Sequence, residues 1–195
     1  MSAPTVRDRV LDAVVDAVER SGLRQLAMEE VATLSGISRA TLYRHFPGGR
    51  EQLVSEAVTR EVARFWGQLA DAVRDLPTIE DRLVAGIIDA RRRIDDNDLL
   101  QRLLASEPDD FLPRLFESDS LVHEVLRGYL RDLLERERLR PGVDLEEAAD
   151  YVTRMLLSHV ATAGRWDLAD ERDVRRLVRR QFLAGIVEGT DPPRV

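Results

Sequence analysis

The sequence predicts an all-α protein of about nine helices, and three observations carry that prediction. Apolar residues recur at spacings of three and four through every long segment. No segment shows the strict alternation of a half-buried strand. Proline, glycine and short polar side chains punctuate the chain where helices of ordinary length would start and stop. With 195 residues and 44% hydrophobic content, the chain can bury a substantial core. The pattern divides it into a small N-terminal helical trio, residues 1–50, and a larger helical part, residues 51–195.

Pro4 opens the first helix, whose inner side is Val6, Val10, Ala13, Val14, Ala17 and Val18, and Gly22 stops it. A short helix follows over Met28 to Ser35, with Val31 and Ala32 inward. Gly36 makes a tight turn, and Ser38 caps a third helix from about Arg39 to Phe46, ended by Pro47, Gly48 and Gly49. A long helix from about Arg50 to Leu76 carries the stripe Val54, Val58, Val62, Phe65, Leu69, Val73 and couples the two parts without a tether. Pro77 closes it, and Thr78 caps the next helix, which reaches about Asp95. A helix over 98–106 ends at Pro108, and "DDFLPRLFES" reads as a short helical connector. Helices over about 119–139, 144–166 and 171–188 complete the chain.

Composition narrows the chemistry. All 29 basic residues are arginine, which removes Schiff-base catalysis and the lysine of a Walker-type phosphate loop. Without cysteine there is no thiol nucleophile and no thiolate metal site. His45, His123 and His159 have no metal-ligand spacing, "HEVLR" has Arg127 where a second histidine would be needed, and "DDND" at 95–98 lacks the glycine and distal glutamate of a calcium loop. No nucleophile elbow or dinucleotide glycine loop is present, so neither an enzyme nor a cofactor is expected. No apolar run reaches transmembrane length and MSAPTVRDRV lacks the apolar core of a signal, so the expected location is cytoplasmic, away from the membrane.

The charge distribution points elsewhere. Residues 1–50 hold seven Arg and six acids, net +1, whereas residues 51–195 hold 22 Arg and 30 acids, net −8. Within the positive part, Arg39 to Arg50 carries three arginines and no acid. The arginines of "RRR" at 91–93 and "RRLVRR" at 175–180 lie beside acids and read as solvated faces with ion pairs.

Two short helices joined at Gly36 after a longer one form a helix-turn-helix, in which the second helix enters the major groove and the first braces it. On the helix beginning at Arg39, Leu42 and Phe46 share the inner face. Arg39, Ala40, Tyr43 and Arg44 then point outward, with Thr41 and His45 at the flanks. Arginine can read guanine or bind phosphate, threonine can touch a base edge or thymine methyl, and tyrosine hydroxyls commonly reach phosphate. Ala40 is small enough for close backbone approach, Ser38 stands at the cap, and Arg50 lies in the first turn of the long helix, where backbone amides favour a phosphate. The candidate DNA contacts are therefore Ser38, Arg39, Ala40, Thr41, Tyr43, Arg44, His45 and Arg50.

The stretch "GLRQLAMEEVATLSGISRATLYRHFPGGREQLV", residues 22–54, resembles the TetR family of bacterial transcriptional regulators. Gly22, Val31-Ala32, Gly36-Ile37-Ser38, Thr41-Leu42-Tyr43, Phe46 and Leu53 carry the resemblance. Three positions depart from it: Ala27 stands where a capping Thr or Ser is usual, Ala40 where Gly is frequent, and the turn after Phe46 is one residue longer, with Arg50 in place of Lys. The resemblance implies a homodimer through residues of about 144–188, a palindromic double-stranded DNA operator, usually repression, and release by a small molecule in a C-terminal pocket. Two recognition helices about 34–36 Å apart would span successive major grooves. Candidate pocket residues are Trp66, Phe111, Phe116, Tyr129, Met155 and His159, although residues of these types more often serve core or interface packing. An activator or ligand-independent regulator of the same fold is the alternative, and a helical enzyme the more distant one.

Overall fold

The computed structural model describes residues 4–117, 119–161 and 163–189, and the side chains of these except 112, 114–117 and 119–121. Among them are ten α-helices: α1 (Val6–Ser21), α2 (Met28–Ser35), α3 (Arg39–His45), α4 (Gly49–Val73), α5 (Ile79–Asp95), α6 (Asp98–Ser106), α7 (Pro108–Glu117), α8 (Asp119–Leu134), α9 (Leu145–Ala161) and α10 (Glu171–Leu177). A wider π-helical turn, Val178–Leu183, continues α10. No helix among the described residues is long and apolar enough to cross a membrane. The expected short connector is the full helix α7, with Pro108 at its first position, where its missing N–H costs nothing.

The chain forms two compact units: residues 1–64 with 97–120, and residues 65–96 with 121–195. In the first unit, α1 starts on a capping box that the sequence reading passed over. The Asp8 amide donates to Thr5 Oγ1, while the Thr5 hydroxyl and amide both donate to Asp8 Oδ2. Those bonds hold the Asp8 carboxyl below its ordinary value, so the cap helps at neutral pH and is lost as pH falls through the folded value.

The inner faces of α1 and α2 meet Leu42 of α3, its C-cap Phe46, and Leu53, Val54 and Ala57 of α4 in one core. Leu103 of α6 and Phe111 of α7 complete it. The loop between α1 and α2 is fastened to the α6–α7 junction: Glu107 Oε2 accepts from the Arg24 amide at 2.7 Å, and Asp110 pairs with the Arg24 guanidinium. Gly22 has a φ of +85°, which side-chain-bearing residues rarely adopt, and a Cβ there would displace the Glu107 carboxylate.

In the second unit, Leu83 and Ile87 of α5, Leu130 and Leu134 of α8, Ala149 and Val152 of α9, and Val174, Leu177 and Phe182 pack into a separate core. Arg175 joins α10 to the start of α5 through Glu80 and Asp81 while also pairing with Glu171, and Arg179 adds a second bond to Glu80. The final helix is shorter than the expected 171–188. Gly185 has a φ of +81°, and the strand-like residues beyond it turn back to pair Val187 with Leu139. The amide of Arg140 donates to the Ile186 carbonyl at 2.9 Å, which also accounts for α8 ending at Leu134 rather than near 139.

Candidate nucleic-acid interface

The turn between α2 and α3 is built from backbone geometry. Gly36 takes a left-handed conformation, φ 70° and ψ 30°, that side-chain-bearing residues adopt at a cost. Its amide bonds to the Thr33 carbonyl and that of Ile37 to the Ala32 carbonyl, closing α2 in a Schellman motif. Ser38 then caps α3: its hydroxyl oxygen accepts from the Thr41 amide at 3.2 Å and donates to Thr41 Oγ1 at 3.0 Å. Ser38 and Thr41 are thus partly engaged with each other.

Leu42 and Phe46 are fully buried. Arg39, Ala40, Tyr43 and Arg44 are exposed, and Thr41 and His45 are half-buried at the flanks. The two arginines differ. Arg39 Nη1 lies 2.6 Å from the Glu29 carboxylate of α2, and its guanidinium sits 6.0 Å from the Tyr43 ring centroid. Among the described residues, the side chains of Arg44 and His45 make no hydrogen bond or ion pair. An exposed, unpaired guanidinium on a short helix is free to meet an external anion.

Arg50 is placed differently from the phosphate-facing expectation. Its Nη2 donates to the Leu23 carbonyl at 2.6 Å and its Nε to the Leu26 carbonyl at 3.3 Å, so it ties the α1–α2 loop to α4. The end of α3 is held by residues that the sequence reading did not single out. Arg7 Nη1 donates to the His45 carbonyl at 3.3 Å, its guanidinium lies 4.7 Å from the Phe46 ring centroid, and its Nη2 reaches both oxygens of Glu56. A cation beside the last carbonyls of a helix is also favoured by the helix dipole. Glu56 accepts from Gln52 Nε2, and Gln52 Oε1 accepts from the Gly48 amide at 2.8 Å. This relay fixes the turn that orients α3. An arginine 38 residues from its carbonyl partner leaves no local sequence signal.

The bracing helix is weaker at its start. Ala27 is the N-cap of α2 and supplies no side-chain bond, as its residue type requires. Ala27→Thr is expected to raise the stability of the first unit by about 1 kcal/mol. A higher denaturant midpoint at unchanged slope would show it, and an unmoved midpoint would mean that α2's amides are already satisfied.

The candidate pocket residues separate. Trp66, Tyr129, Met155 and His159 all border the second unit's core. Trp66 meets Phe65 edge-on at 5.2 Å, and His159 Nδ1 lies 2.8 Å from the Met155 carbonyl with its ring 5.4 Å from Phe182. Phe111, by contrast, is buried in the first unit's core beside Leu103. The Phe116 side chain lies outside the described residues. None of these lines the open cleft of about 420 Å³ beside α5, whose apolar wall is Leu76, Val84 and Ile88 and whose rim includes Asp89, Arg92 and Arg175. The Tyr129 hydroxyl is buried and has no hydrogen-bond partner among the described residues.

Comparison with known proteins agrees with this geometry. Residues 10–57 match the family model described as bacterial regulatory proteins, tetR family. An HTH-type transcriptional regulator of Mycobacterium tuberculosis is 29% identical over 180 residues, covering 92% of this chain and 84% of the relative. Among solved structures, the TetR family repressor AlkX of Dietzia sp. superposes with a TM-score of 0.59 at 24% identity, over 91% of this chain and 95% of that one. A TetR-family regulator of Mesorhizobium loti gives 0.60 at 22% identity, over 93% and 96%. At these identities the structural likeness speaks for the fold alone.

Proposed function

We propose that this chain, whose residues 10–57 match the family model of bacterial regulatory proteins of the tetR family, is a homodimeric transcriptional repressor that leaves a palindromic operator when a small molecule binds its second unit. The observation that carries the DNA half of this reading is the outer face of α3, where Arg44 stands exposed and, among the described residues, unpaired above a fully buried Leu42 and Phe46. Arg39, Ala40, Thr41, Tyr43, Arg44 and His45 contact DNA, Ser38 supplies the cap, and Arg50 positions the module from behind. Phosphate contacts supply the salt-dependent affinity and base contacts the sequence preference.

A single seven-residue helix reads few base pairs, so a second copy is needed for a site of useful length. The dimer forms through residues of about 144–188, now α9, α10 and the π-helical turn. The ligand enters the second unit among Trp66, Tyr129, Met155 and His159. It favours a conformer with misplaced recognition helices, by no more than its differential affinity for the two states.

The Tyr129 hydroxyl, buried and without a partner among the described residues, supports that placement, since an unpartnered buried polar group is a cost that a ligand's polar atom can relieve. Tyr129→Phe is expected to stabilise the free protein by about 1 kcal/mol. A lower melting temperature in the variant would show instead that the hydroxyl is already satisfied.

The test of the function is selection of bound duplexes from a random DNA pool, followed by binding at several salt concentrations. Enrichment of a palindrome is the expected result. Weak, salt-sensitive binding with no enriched sequence would overturn the proposal of a sequence-specific regulator.

A further inference from the structure

The two guanidiniums on the outer face of α3 are not equivalent, and the difference comes from the bracing helix. Resting on the reading of α3 as the recognition helix, we propose that Glu29 is a specificity-determining residue: its carboxylate neutralises and orients Arg39 so that Arg39 reads a base edge rather than a phosphate. The observation is the 2.6 Å contact between Glu29 Oε1 and Arg39 Nη1, on a surface where Arg44 has no such partner among the described residues.

Stability does not explain this pair. Both side chains are nearly 60% exposed, and an exposed ion pair contributes about 0–1 kcal/mol. On a face that approaches a polyanion, a carboxylate also repels the phosphates it faces. Its effect must therefore be sought in binding.

Two consequences follow from the geometry. First, a guanidinium already paired with a carboxylate displaces no counterion when it docks, so Arg39 adds little to the salt dependence while Glu29 holds it. Second, with the Glu29 carboxylate beside Nη1, the Nε–Nη2 edge remains as a planar two-donor fork. That fork matches the O6 and N7 acceptors of guanine, which a point charge would not select. The Tyr43 ring centroid lies 6.0 Å from the guanidinium carbon, at the outer limit of a cation–π contact. Glu29 is carried on α2, whose Val31 and Ala32 are locked in the core and whose end is fixed at Gly36. The bracing helix thus contributes to sequence choice without touching a base.

Glu30 provides the internal control. It bears the same charge one residue further along α2 and, among the described residues, makes no ion pair with Arg39. The experiment compares the wild type, Glu29→Gln, Glu30→Gln and Arg39→Ala on the duplex selected by the wild type and on a scrambled duplex, across a range of salt. For Glu29→Gln, affinity for the scrambled duplex should rise and the log–log salt slope should steepen by about one. The ratio of specific to non-specific affinity should fall about tenfold. Glu30→Gln should shift both affinities together and keep the ratio.

Equal behaviour of Glu29→Gln and Glu30→Gln would overturn the inference, as would an unchanged ratio in Arg39→Ala. A wild type that enriches no sequence would instead bring down the recognition-helix reading itself, so the two failures are distinguishable.

Discussion

Phe46→Ala is expected to cost the first unit about 3–5 kcal/mol. The side chain is fully buried and is among the largest so enclosed in the chain. It also terminates α3, with its amide donating to the Leu42 carbonyl at 2.9 Å. Truncation removes the ring's contacts, leaves a cavity among α1, α3 and α4, and takes away the surface on which the Arg7 guanidinium rests. Arg7 is the cation that holds the last carbonyl of α3, so the helix loses packing and tether together.

A seven-residue helix has no stability of its own without such packing. Because whole domains are stable by only about 5–15 kcal/mol, operator binding should disappear at ordinary temperature. The second unit's core contains neither Phe46 nor its neighbours, and its helical signal should persist. Hydrogen exchange would locate the loss: amides of α1 to α3 should exchange fast and those of α9 slowly. Phe46→Leu, which keeps most of the volume, should retain binding. Protected α3 amides in Phe46→Ala would show that Arg7, Glu56 and Gln52 hold the helix unaided.

The parts of the fold that sequence reading recovered are those with local causes. The bounds of α2 emerge as Met28–Ser35 because Gly36 and Ser38 are conformational signals that act on their immediate neighbours. The inward positions of Leu42 and Phe46 follow from helical period alone. What stayed hidden has causes far along the chain. Phe111 was grouped with residues of a pocket, yet it packs beside Leu103 in the first unit's core, a pairing no period encodes. The shortened final helix follows from a bridge between residues 139 and 187, and the run through Ile186 looks helical until Gly185 is given its positive φ. Arg50, expected to meet a phosphate from its place in the first turn of α4, donates Nη2 and Nε to the carbonyls of Leu23 and Leu26, with Nη1 beside Glu51. Each of these partners is chosen by tertiary structure from many chemically equivalent candidates.

Arg44 and Arg50 therefore predict opposite kinds of loss, although both are arginines in the same basic stretch. Arg44→Ala should leave stability nearly unchanged, since the side chain is exposed and has no partner among the described residues. It should weaken specific binding by about 1–3 kcal/mol if the guanidinium makes a bidentate contact to a base. If it binds a phosphate instead, affinity should fall alike for all sequences and the salt slope should become shallower by about one. Arg50→Ala should act through folding. Its charged donors satisfy the Leu23 and Leu26 carbonyls, and hydrogen bonds to a charged group are worth about 1.5–3 kcal/mol. The expected signature is a lower denaturant midpoint for the first unit and, at temperatures where the variant is folded, an unchanged salt slope. Both variants would reduce DNA binding in a simple shift assay, so only the combination of stability, specificity ratio and salt slope separates a residue that reads DNA from one that holds the reader in place. An Arg50→Ala protein with full stability and a shallower slope would return Arg50 to the DNA surface. An Arg44→Ala protein with unchanged affinity for every duplex would remove Arg44 from it and leave Arg39, Ala40, Thr41, Tyr43 and His45 as the residues on which recognition by α3 depends.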